Sequence, residues 1–151
     1  MCEDGGERVT EREQVGQIGS HRPAACPDPK PRTKGSVMNY IAFKNGPASG
    51  IFAGLGEGWA DVPKLNESFE GLRWSVVNRN DRDHGSFVKA ARSYSSTCSS
   101  GELRLLLAVC TMLDFAHVAD DLAGGRAWQD ITIGCDLRYR AAIAACVLEA
   151  P

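Results

Sequence analysis

Residues 99–123, SSGELRLLLAVCTMLDFAHVADDLA, constrain the fold more than any other stretch. Ser99 followed three residues later by Glu102 forms a capping-box signature: the hydroxyl accepts from the Glu102 N–H and the carboxylate from the Ser99 N–H. From Leu103 to Leu113 only Arg104 and Thr111 are clearly polar. At 100° per residue, Leu103, Leu106, Leu107 and Cys110 fall on one side, and Leu105, Val109 and Met112 on the other. A helix apolar on two sides is packed on two sides. The pattern therefore predicts a buried central helix over 100–113.

Asp114 changes that pattern. A helix running straight on would bury Asp114, His117 and Asp121 on the face already held by Leu103, Leu107 and Cys110, which is costly unless they are paired or hold a metal. A break at Asp114 is cheaper, with Asp114 capping a second helix over 115–123. Phe115, Val118, Ala119 and Leu122 then point inward, and His117, Asp120 and Asp121 point outward. Gly124-Gly125 closes this helix in the left-handed conformation that glycine tolerates.

Upstream, MNYIAF (38–43) alternates and reads as a strand. LRWSVVN (72–78) reads as a second, with Leu72, Trp74 and Val76 on one face. Between them lies a glycine-rich stretch, Gly50, Gly54, Gly56 and Gly58, which reads as a loop around Phe52 and Trp59. Residues 78–85, NRNDRDHG, form a polar loop, and Asp83 can cap a helix from 84 to 95. Downstream, Trp128, Ile131 and Ile133 anchor a connection, and Asp136 caps an alanine-rich last helix. Strands followed by helices point to an α+β fold: a small β-rich N-terminal half, with strands at 38–43 and 72–78, packed on a C-terminal bundle of three to four helices.

Residues 1–37 hold no aromatic residue, four of the seven prolines, and six acidic against six basic residues. Such a segment cannot bury enough apolar surface to offset its ordering entropy. The expectation is a disordered tail over 1–37 and a single globular domain over 38–150. Met38 opens the first apolar run and is a second candidate for the physiological start. The N-terminus MCEDGGERVTEREQ lacks the apolar core of a secretory signal. The apolar run Leu105–Cys110 is far too short for a bilayer span. The six cysteines form no C-x-x-C pair, which suits a reduced, cytoplasmic protein. A net charge of −2 carries no polyanion-binding signature.

Chemistry-bearing groups are sparse. Asp114, His117 and Asp121 have the spacing for a metal-dependent hydrolase if the helix is continuous. Asp81-Arg82-Asp83-His84 sets a histidine among opposite charges. Gly54-x-Gly56-x-Gly58 leads into Trp59-Ala-Asp-Val-Pro63 rather than into a helix, and lacks the Gly-Lys-Ser/Thr of a phosphate loop. Cys98, at a helix start, is a conceivable nucleophile with His84 or His117 beside it. Cys98, Cys135 and His117 are a conceivable but widely spaced zinc set. Residues 115–131 resemble a degenerate helix-turn-helix. However, its second helix would open on glycines with a single Arg126, and Asp120, Asp121 and Asp130 would repel phosphates.

With no complete catalytic set, cofactor fingerprint or metal spacing, the favoured expectation is a small intracellular protein without enzymatic activity or cofactor. It would bind and regulate or inhibit another protein through Phe52, Trp59, Arg79, Arg82 and His84. Trp59 on a glycine-rich surface loop would be the contact anchor. A DNA-binding regulator using 115–131 and a hydrolase using Asp114, His117 and Asp121 are the alternatives.

Overall fold

The computed structural model describes residues 38–133 and 137–151. All regular structure among them is helical: α1 (Tyr40–Asn45), α2 (Pro47–Gly54), α3 (Glu57–Ala60), α4 (Phe69–Arg82), α5 (Ser86–Ser95), α6 (Ser100–Met112), α7 (Ala116–Leu122), α8 (Ala127–Thr132) and α9 (Leu137–Leu148). This corrects the expected α+β class and its β-rich N-terminal half, because 40–43 lies in α1 and 72–78 in α4, and neither forms a strand. The tail over 1–37 and the Asp136 cap lie outside the described residues.

Local chemistry accounts for both corrections. Asn39 accepts from the Ala42 N–H at 2.9 Å and so caps α1. Tyr40 and Phe43, one turn apart, are buried while Ile41 faces out. Both rings pack on Phe69, with centroids at 5.1 and 4.9 Å. In the second segment, Ser68 accepts from the Gly71 N–H at 3.0 Å, and the buried positions Phe69, Leu72, Val76 and Asn80 follow a helical repeat. Leu72 and Val76 are four apart, a spacing that fits a strand and a helix equally. The glycine-rich stretch is likewise helical: Gly50 and Gly54 lie in α2 and Gly58 in α3, with Gly56 (φ 106°) as the joint.

The capping box at α6 forms as its residues require. Ser99 N–H donates to Glu102 at 2.8 Å, and Glu102 N–H donates to Ser99 Oγ at 3.4 Å. Leu105 through Cys110 are all buried, and α2, α5, α7, α8 and α9 pack around this rod. The rod ends at the expected place by a different device. Asp114 adopts φ 71°, the Phe115 N–H reaches back to the Cys110 carbonyl at 2.8 Å, and the Asp114 N–H reaches Thr111 at 3.2 Å. That is a Schellman C-cap with aspartate in the left-handed position. Asp114 therefore closes α6, and α7 starts without a side-chain cap. Gly124-Gly125 closes α7 in the same way, with the Gly125 N–H on the Asp120 carbonyl at 2.8 Å.

The turn between α4 and α5 repeats the motif. His84 stands at φ 50°, and the Gly85 N–H bonds the Asn80 carbonyl at 2.8 Å. Asp83 does not cap α5. Its first turn is capped from the preceding helix, where buried Asn80 Oδ1 accepts from the Phe87 and Val88 N–H groups at 3.1 and 3.4 Å. Arg73 fastens α4 to two helix ends, donating from Nε to the Met112 carbonyl at 2.7 Å and from its fork to the Glu149 carbonyl. One apolar core results, running from Tyr40 to Cys146. Among the described residues no helix is long and apolar enough to cross a membrane.

Candidate functional site

The most built surface feature is a cleft of about 340 Å³ between α4 and the turn over 61–66. The turn is pinned rather than loose. Asn66 donates to the Val62 carbonyl at 2.8 Å and accepts from Ser75 Oγ of α4 at 2.9 Å, and its own carbonyl accepts from Lys44 of α1 at 3.0 Å. Leu65 at the turn is 81% exposed and Trp74 on α4 is 70% exposed, so the cleft has two apolar lips. Helical geometry sets Trp74, Asn78 and Arg82 in one row along α4. A second hollow of about 470 Å³, lined by Asn66, Ser68, Glu70, Gly71 and Ser75, lies on the other side of Trp74. The indole is thus a partition between two depressions.

The charged groups of the first cleft are Arg79 and Arg82, both cationic. Arg79 is held on three sides. Its guanidinium lies over the Trp59 ring at 4.6 Å, Nε meets Asp83 at 3.4 Å, and it donates to the Gly58 carbonyl. Arg82 is exposed and forms no ion pair among the described residues. One cation is therefore fixed by the fold and its neighbour points to solvent.

The residues singled out from sequence divide accordingly. Arg79 and Arg82 line the cleft, and His84 is exposed at the turn beyond the end of α4. Phe52 is wholly buried in α2. Trp59 is 5% exposed and stacks edge-on against Phe87 at 5.4 Å. It meets the surface only through Arg79, which covers it. The exposed aromatic residue that sequence reasoning missed is Trp74. Its signal was available: a helical repeat over 69–80 places Trp74 opposite Leu72 and Val76, whereas alternation places it beside them.

Asp114, His117 and Asp121 are all exposed, and Asp121 pairs with Arg92 of α5 at 3.1 Å. Among the described residues no three His, Cys, Asp or Glu side chains stand where one metal ion would join them. Cys135 of the conceivable zinc set lies outside the described residues. Cys98 does not have the depressed thiol pKa that a helix start can give. Burial and the nearby Glu102 carboxylate push it up, which weakens it as a nucleophile. In the helix-turn-helix stretch, α7 and α8 do pack together across the Gly-Gly turn. The outward side chains of α8 are Trp128, Gln129 and Thr132, so this helix offers phosphates no cation beyond Arg126 at its start.

Comparison of the chain with protein-family models, with characterised proteins and with solved structures gave no match.

Proposed function

We propose that this chain is a non-catalytic, intracellular binding protein that acts by seating part of another protein on α4, with Trp74 as the anchor. The observation that carries this reading is the exposure of Trp74 between two hollows, on a helix fixed from behind by Arg73 and Asn80 and tied to the facing turn by Ser75. Large aromatic side chains held rigidly at a concave surface supply most of the free energy of many interfaces. Leu65 extends the apolar contact, and Arg79 and Arg82 select a partner with a carboxylate beside its apolar side chain. The free, half-buried or buried thiols Cys98, Cys110 and Cys146 suit a reducing compartment.

The test is a binding measurement with a partner isolated on the full chain from the source cell and then purified. Trp74→Ala should weaken binding by roughly 30-fold or more while leaving the helical circular dichroism unchanged. Arg82→Glu should weaken it less and make the remaining binding insensitive to salt. Binding that survives Trp74→Ala unchanged would remove the α4 surface from consideration.

A further inference from the structure

The two hollows beside Trp74 differ in chemistry. The first has Val62 and Leu65 in its wall, and Arg79 and Arg82 are its only charged groups. The second has no aliphatic side chain. It is lined by Asn66, Ser68, Glu70, Gly71, Ser75 and the indole that it shares with the first. Glu70 is its one charged group. This carboxylate is exposed and forms no ion pair among the described residues. Glu70 precedes Trp74 by one helical turn, so the two side chains are neighbours on α4, with Cβ atoms about 5–6 Å apart.

We propose that the second hollow is a cation subsite that takes a lysine or arginine side chain of the partner protein. The proposal rests on the reading that Trp74 anchors that partner. The apolar face of the indole supports the stem of a long basic side chain, and its π-system attracts the charged head. Glu70 supplies the counter-charge. Two further oxygens complete the wall as acceptors. Asn66 Oδ1 already accepts from Ser75 Oγ at 2.9 Å, and Ser68 Oγ from the Gly71 N–H at 3.0 Å. Each keeps a lone pair for an ammonium or guanidinium donor.

The neighbouring charges agree. Glu67, exposed just ahead of the Ser68 cap, has the same sign as Glu70. The N-terminus of α4 carries about half a positive charge, which the two carboxylates outweigh. Lys44 is engaged elsewhere, with the Asn66 carbonyl at 3.0 Å and the Tyr40 ring at 5.4 Å, and is not part of the wall.

The surface is therefore polar along its length, with Glu70 on one side of Trp74 and Arg82 on the other. These two residues lie on one helix, about 18 Å apart along its axis, a distance that five or six residues of extended chain cover. The matching partner segment carries an acidic residue at one end, an apolar residue against Trp74 and a basic residue at the other end. The order of those charges fixes its direction along α4.

Peptide display tests this with probes of known sequence. A random library of peptides about twelve residues long is selected on the immobilised full chain and, in parallel, on Trp74→Ala. Sequences enriched only on the unaltered chain should share an apolar residue with an acid on one side and a lysine or arginine on the other. Glu70→Gln should bind such a peptide about 3–10-fold more weakly, as expected for one partly exposed ion pair with a ring contact. Glu70→Lys, selected afresh, should enrich an acid where the basic residue stood. A role of Glu70 confined to its own helix would not move that preference. Each variant should keep the wild-type helical circular dichroism. Trp74-dependent peptides that share no basic residue, or that bind Glu70→Gln as tightly as the unaltered chain, overturn the cation subsite and leave the Trp74 anchor standing. A selection that enriches no Trp74-dependent peptide overturns both.

Discussion

Among the described residues, two hold backbone conformations that glycine would hold at lower cost. His84 and Asp114 sit at φ 50° and 71°, each the left-handed residue of a Schellman cap. A side chain there costs about 1–2 kcal/mol in local sterics, less for residues such as aspartate and histidine that visit this region more readily. Glycine removes that cost but loses more entropy on folding. His84→Gly and Asp114→Gly should therefore each raise stability by about 0.5–1 kcal/mol, read from the urea midpoint at unchanged slope. A loss of stability in either would mean that its side chain makes a contact outweighing the strain. The thiols make a second prediction at this scale. Burial pushes Cys110 up to about 12 and raises Cys146 as well, with the Cys110 thiol adding to the latter. Below about pH 8.5 the folded and unfolded chains both keep these protons, and nothing is lost. Above it the unfolded chain releases protons that the folded chain retains, so stability falls with rising pH until the native thiols ionise. Tyr40 and Tyr94, both pushed up to about 12 by burial, add to the slope once pH passes their ordinary value of 10. The expected result is a declining urea midpoint from about pH 9 upward, shallower in Cys110→Ala/Cys146→Ala. A flat profile over that range would contradict the burial of these groups.

Helix α2 contains an internal control. Gly50 and Gly54 are both helical, yet a side chain at Gly50 would meet open space, while one at Gly54 would run into the ring of Tyr94. Gly50→Ala should stabilise by about 0.5–1 kcal/mol through propensity alone. Gly54→Ala must push Tyr94 away from α2 and from the neighbouring Glu102 carboxylate, so the same substitution one turn on should be neutral or destabilising. Equal effects at the two positions, read by thermal unfolding, would contradict the packing of Tyr94 against Gly54. This helix also shows what a short window conceals. Four glycines in nine residues suggest a loop until Ala48, Ile51, Phe52 and Leu55 are taken together as one buried face. Over 72–78, Leu72 and Val76 suit either period, and only the longer run from the Ser68 cap to Asn80 distinguishes them. At α6, by contrast, cap, run and break were all legible, because a capping box followed by the apolar run Leu105–Cys110 has few other solutions. The break itself was right in place and different in mechanism. Whether an aspartate caps the next helix or closes the previous one depends on backbone angles that residue type alone does not set.

At the scale of the whole molecule, the candidate site was half legible. Arg79 and Arg82 stood out as cations in a polar segment and do line a cleft. Trp59 and Phe52 were placed outward because their stretch was read as a loop, and they are core. Trp74 was placed inward because its stretch was read as a strand, and it is exposed on α4. Two misread stretches, one taken as a loop and one as a strand, thus exchanged the two tryptophans. What makes α4 a firm platform is Arg73, which no sequence pattern singles out. Its side chain crosses to the ends of α6 and α9, helices far apart in sequence, and supplies donors to carbonyls left without partners at their last turns. A cation at a helix C-terminus is further favoured by the macrodipole, and here one guanidinium serves two termini. Arg73→Met keeps the apolar stem and removes all donors. The cost should be about 2–3 kcal/mol, because the buried Met112 carbonyl loses a charged donor and water replaces it poorly. Arg73→Lys has one ammonium for two diverging carbonyls and should recover only part of that loss. The urea slope should stay constant through the series, since the same core is exposed on unfolding. A platform that depends on this clamp should also lose Trp74-mediated binding in Arg73→Met under conditions where the chain is still fully folded. Binding unaffected by that substitution would mean that α4 is held by its apolar face alone.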